Sequence, residues 1–148
     1  MTYARESSLG YLTNWAGRLF VRALERRLNG DTAGRMPVFF ALAGGGAMTQ
    51  TALAQHADVE QPTMANTLKR MERDGLVART PDPNDGRSAL VRLTDRGEQR
   101  AEAAFAAAVE VNQLALSALN AEERPVFVEM LRRVIATMGR DGSDPESR

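Results

Sequence analysis

Residues 48–97 read MTQTALAQHADVEQPTMANTLKRMERDGLVARTPDPNDGRSALVRLTDRG, and the period of their apolar pattern changes once. Before Gly75 the spacing is helical: Met64, Leu68 and Met71 fall on one side of a helix. After Gly75, LVART and SALVRLT alternate apolar with polar residues around PDPNDG, which predicts a β-hairpin. Upstream, Thr49 is a good N-cap for the short helix TQTALAQHA. A break at Asp58-Val59 follows, and a second helix starts near Gln61-Pro62 and closes at Gly75. Two short helices joined by about four residues make a helix-turn-helix, and the hairpin behind it makes that unit winged. Thr94, or else Asp95, caps the next helix.

Outward from this centre the chain is helical. Leu9, Leu12, Ala16, Leu19, Ala23, Leu24 and Leu28 recur at spacings of three and four, an amphipathic helix over about residues 7–29 stopped by Asn29-Gly30. Pro37 suits the first turn of a short apolar helix, and Gly44-Gly45-Gly46 ends it. The alanine-rich helix after Thr94 runs to about Ala118. Asn120 with Glu123 forms a capping-box pattern for a last helix carrying Phe127, Met130, Leu131, Val134, Ile135 and Met138. Pro125 lies too deep for the first turn if Asn120 is the cap, so a kinked or shifted start is expected. The polar end, residues 139–148, reads as a disordered tail. The predicted class is mostly α with a small β-hairpin, in one domain. A winged helix-turn-helix over about residues 35–95 is flanked by helices over 7–29 and 96–138. The flanking helices lack a partner for their apolar faces, so pairing with a second copy is expected.

Composition narrows the function. The 148 residues include no cysteine, which excludes disulfides, thiolate metal sites and cysteine nucleophiles. His56 stands alone and reads as a surface residue, so no metal and no cofactor is expected. No nucleophile–base pair, phosphate loop or spaced carboxylate pair suggests an enzyme. No apolar run approaches the roughly 20 residues of a membrane span, and no apolar leader opens the chain, so a cytoplasmic protein is expected. The 19 basic and 19 acidic residues cancel, which argues mildly against a nucleic-acid partner. Residues 1–100, however, carry 14 basic and 11 acidic residues, and residues 101–148 carry 5 and 8. All basic residues but Lys69 are arginine, which suits phosphate and base contacts, although a GC-rich genome gives the same bias.

The stretch from Met48 to Gly97 resembles the MarR family of winged helix-turn-helix transcriptional regulators. The likeness runs over roughly residues 8–138, with Met48 replacing a usual leucine and Pro125 four residues late. It implies a homodimeric regulator, most simply a repressor, that reads a short inverted repeat in double-stranded DNA. Pro62, Thr63, Asn66, Thr67, Lys69 and Arg70 occupy the open side of the second helix. Alone they read equally well as a solvated face; with the wing and the resemblance they become the base-reading face. Gln61 and Thr63, and Thr49 and Gln50 one helix earlier, present backbone N–H groups to phosphates at helix starts. The resemblance carries Asp85 and Arg87 over as the wing's acid–arginine pair. Asp85 is expected to pre-aim the guanidinium, Gly86 to let the loop turn, and Arg79 and Arg92 to add phosphate contacts. The family also implies a small phenolic or aromatic carboxylate effector, for which Tyr11, Trp15, Arg18 and Phe40 are the candidates. The plainer expectation is that Trp15 and Phe40 are core packing. A winged-helix module that binds protein instead of DNA is the competing reading of the same fold.

Overall fold

The computed structural model describes residues 4–141. Its elements are α1 (Leu9–Glu25), a 3-10 turn (Ala33–Arg35), α2 (Met36–Leu42), β1 (Met48–Thr49), α3 (Gln50–Ala57), α4 (Gln61–Arg73), β2 (Val77–Asp82), β3 (Asp85–Leu93), α5 (Asp95–Leu116) and α6 (Glu123–Asp141). The expected class holds, but the sheet has one strand more than the hairpin. β1 pairs antiparallel with β3, Met48 opposite Val91 and Thr49 opposite Leu90, giving the order β1-β3-β2. Two residues are too few to show an alternation, so only the partner strand reveals β1.

The chain divides into two compact units, one ending at Val111 and one starting at Asn112. The core of the first unites Val38, Phe39 and Leu42 of α2, Leu53 of α3, Leu68 and Met71 of α4, and Leu76 and Val91 beside and within the sheet. α1 starts under Ser8, whose Oγ accepts the Tyr11 N–H at 3.2 Å. Of its apolar stripe, Ala23 is buried, while Leu9, Leu12 and Leu19 stay exposed. The helix stops at Glu25, earlier than the apolar pattern suggests. Beyond it Arg27 N–H donates to Leu24 O (2.8 Å) and Leu28 N–H to Glu25 O (3.3 Å), a tightened last turn that satisfies carbonyls left over at the helix end. Asn29 and Gly30 then take left-handed conformations, φ 40° and 88°.

In the second unit the capping box forms as expected. Asn120 Oδ1 accepts the N–H groups of Glu122 (3.0 Å) and Glu123 (2.9 Å), and Glu123 Oε2 accepts that of Asn120 (2.9 Å). Regular α6 begins only at Glu123, so Pro125 falls within its first turn and its missing N–H breaks no helical bond. Residues 139–141 continue α6, so the expected tail starts too early by that much; its remaining residues, 142–148, lie outside those described. α6 buries no residue, and Phe127, Met130, Leu131, Ile135 and Met138 are exposed. Among the described residues no helix is long and apolar enough to cross a membrane.

Candidate nucleic-acid interface

Thr49 closes the sheet contact and opens α3, its Oγ1 accepting the Ala52 N–H at 3.2 Å. Asp58 ends α3 in the left-handed conformation (φ 51°), and Val59 N–H returns to Ala54 O at 3.1 Å. This tight exit turns the chain into α4, where Pro62 sits in the first turn and no side chain caps the open N–H groups. Met64, Leu68 and Met71 are buried, as their spacing predicted. That rotation leaves Gln61, Pro62, Thr63, Asn66, Lys69 and Arg70 exposed. Thr67 is half-buried, and its hydroxyl donates to the Thr63 carbonyl at 3.1 Å, so that donor is already used within the helix. Arg73, one turn beyond Lys69 and Arg70, is exposed on the same open side; counting one more turn of the helix finds it in the sequence.

The wing differs in detail from expectation. The turn lies at Pro83-Asn84, and Asp82 Oδ1 accepts the Asn84 N–H at 2.9 Å. The register slips between Pro81, opposite Ala89, and Asp82, opposite Asp85, so Gly86, Arg87 and Ser88 have no partner across the ladder. Asp85 does not hold the Arg87 guanidinium. Its carboxylate accepts the Arg87 backbone N–H (3.0 Å) and the Ser88 hydroxyl (3.2 Å), shaping the bulge and leaving the arginine side chain unpaired among the described residues. Gly86, expected to let the loop turn, lies in β3 just past the Pro83-Asn84 turn, and its φ is not positive. Arg79 and Arg92, expected on phosphates, are engaged: Arg79 pairs with Glu72 and donates to Gln50 Oε1 at 3.2 Å, and Arg92 donates to Gly45 O at 3.3 Å.

Two polar networks that hold this surface escape a sequence reading. Arg35 pairs with Asp31 (3.0 Å) and with Asp74, which caps the end of α4 and also pairs with Arg73 (3.1 Å). The Arg73 and Arg35 guanidiniums hold the Asp74 carboxyl below its ordinary value of 3.8, against a smaller opposing effect of burial. Glu98, in the first turn of α5, accepts the N–H groups of Gly44 (3.1 Å) and Gly45 (3.2 Å), fixing the loop that leads into β1.

The four effector candidates do not converge. Tyr11 and Trp15 meet edge to face at 6.1 Å, with Arg5 5.8 Å from each ring, and Arg18 bonds Asn14. Phe40 stacks instead on Phe105, ring centroids 5.0 Å apart. The expectation of core packing also fails, since Trp15 is 41% and Phe40 64% exposed. Helical spacing marks an apolar face without saying whether anything within one chain covers it. His56 is exposed, as expected.

The MarR family model matches residues 30–88, the part of the chain from the α1–α2 loop to the wing. The transcriptional regulator HosA of Escherichia coli O157:H7 is 37% identical over 100 residues, which are 68% of this chain and 74% of HosA. The chain belongs to the MarR family. Curated MarR-type relatives are matched over 53% to 74% of their own length. Among solved structures, BpsR of Bordetella bronchiseptica, whose DNA binding is regulated by 6-hydroxynicotinic acid, is 26% identical with a TM-score of 0.81. That match covers 90% of this chain and 97% of BpsR. A mutant MarR of E. coli complexed with operator DNA is also 26% identical, TM-score 0.78, covering 85% and 92%. These relatives are transcriptional regulators, and this MarR-family chain is of that class and not an enzyme.

Proposed function

We propose that the protein is a homodimeric repressor that binds a short inverted repeat in double-stranded DNA and is released by a small aromatic anion. One observation carries the DNA reading. α4 buries Met64, Leu68 and Met71 and turns Asn66, Lys69 and Arg70 outward, while the wing carries an unpaired Arg87. In a major groove Arg is bidentate to guanine and Asn to adenine, and Pro62 and Thr63 come close enough to touch thymine methyls or phosphates. Arg87 reaches a neighbouring minor groove, where A·T tracts concentrate negative potential. The uncapped first turn of α4, with Gln61 and Thr63, and the start of α3, with Thr49 and Gln50, receive phosphates. The operator complex of the MarR neighbour supports this reading.

Exposed apolar side chains on α1 (Leu9, Leu12, Leu19) and on α6 (Phe127, Ile135, Met138) favour a second copy as their cover. Two reading heads then meet successive major grooves about one helical turn apart. The regulation of BpsR by 6-hydroxynicotinic acid supports an effector of that chemistry here, with Tyr11, Trp15 and Arg18 as its binding side chains. Phe40 joins them only through a rearrangement or a second subunit. The regulator works in the cytoplasm.

An electrophoretic shift with the DNA upstream of its own gene tests the reading. Retardation that fades steeply with salt is expected. Absence of any shift, with a folded protein, leaves the winged-helix module that binds protein as the function. Sedimentation at micromolar concentration separately tests the dimer.

A further inference from the structure

We propose that Glu72 is a built-in attenuator of DNA affinity: it neutralises Arg79 and withholds that arginine from the phosphate backbone. The inference rests on the DNA-binding reading above. Three elements meet at this point. Arg79 projects from β2, pairs with Glu72 of α4, and donates to Oε1 of Gln50, the first residue of α3. Glu72 is the only acid in α4, which otherwise carries Lys69, Arg70 and Arg73. It flanks their open face instead of joining the buried stripe, with its side chain 39% exposed and that of Arg79 35% exposed.

The chemistry follows from where the charges sit. Arg79 is a cation beside the start of α3, a place where a phosphate binds a helix N-terminus. Unpaired, it neutralises one phosphate and releases one more counterion. Paired, the Glu72–Arg79 unit has no net charge, so that arginine neutralises no phosphate. Arginine only donates, so Gln50 Oε1 is the acceptor that helps hold the Arg79 guanidinium beside the start of α3. The result is a regulator tuned below its maximal affinity, which limits retention on the far more numerous non-operator sites.

The test compares wild type, Glu72→Gln, Arg79→Met and the double variant by fluorescence anisotropy, with an operator duplex and a random duplex, over a salt series. Glu72→Gln is expected to bind both duplexes about threefold or more tightly at low salt and to steepen the slope of log K against log salt by about one. In the Arg79→Met background, Glu72→Gln is expected to leave the slope unchanged. Circular dichroism melting confirms that each variant is folded. Wild-type binding with Glu72→Gln unchanged or weakened overturns the attenuator, as does a slope gain that persists without Arg79. If wild type binds neither duplex, the DNA-binding reading itself has failed and the attenuator falls with it.

Discussion

Gly97 of α5 packs directly against the carbonyl of Leu76: a Cβ built on Gly97 would lie 2.0 Å from that oxygen. The same oxygen accepts the Thr94 N–H at 3.0 Å, and Thr94 Oγ1 both donates to Gly75 O (2.6 Å) and accepts the Gly97 N–H (3.1 Å). The end of the helix-turn-helix and the start of α5 are thus locked backbone to backbone. Gly97→Ala forces backbone to move, so it is expected to cost about 3 kcal/mol or more, at the upper end of overpacking effects. Chemical denaturation measures this; a loss under about 0.5 kcal/mol, the range of neutral surface changes, contradicts the close approach.

Asp74 makes stability acid-sensitive. Its carboxyl titrates below 3.8 in the fold because of Arg73 and Arg35, so the unfolded chain binds the proton more readily. The stabilisation is therefore complete above the unfolded value and is lost as pH falls through the folded one. Asp74→Asn is expected to lower the denaturation midpoint at neutral pH and to flatten its decline below pH 3.8. Parallel acid profiles for the two proteins would exclude this role.

The two faces of α4 separate stability from recognition. Met64 is buried, so Met64→Ala is expected to cost about 2–5 kcal/mol. Asn66 is exposed, so Asn66→Ala is expected to change stability by less than about 0.5 kcal/mol. The same change is expected to weaken operator binding by about tenfold, the loss of one bidentate base contact. Paired melting and binding titrations check both halves.

On the wing, Arg87→Ala is expected to weaken operator binding tenfold or more, about 1.4 kcal/mol, with the fold intact. Asp85→Ala acts indirectly, by releasing the Arg87 N–H and the Ser88 hydroxyl that order the bulge, and its effect is expected to be smaller. A gel-shift titration ranks the two; equal affinity of Arg87→Ala and wild type removes the wing from recognition.

The amino-acid sequence by itself determined the order of the helices and the hairpin, the change of period at Gly75, the caps at Thr49 and Asn120 and the buried stripe of α4. Each of these is a short-range signal: a cap bonds within about three residues, and a helical stripe repeats within one turn. Only the tertiary structure decided that Met48-Thr49 joins the sheet, that Arg35 reaches Asp74 across 39 positions, that Gln50 meets Arg79 across 29, and that Glu98 holds Gly44 across 54. These contacts depend on how finished elements pack, which no local pattern encodes. Phe40 makes the same point: its apolar character predicts a core, but the rotation of α2 buries Phe39 and leaves Phe40 outside, against Phe105.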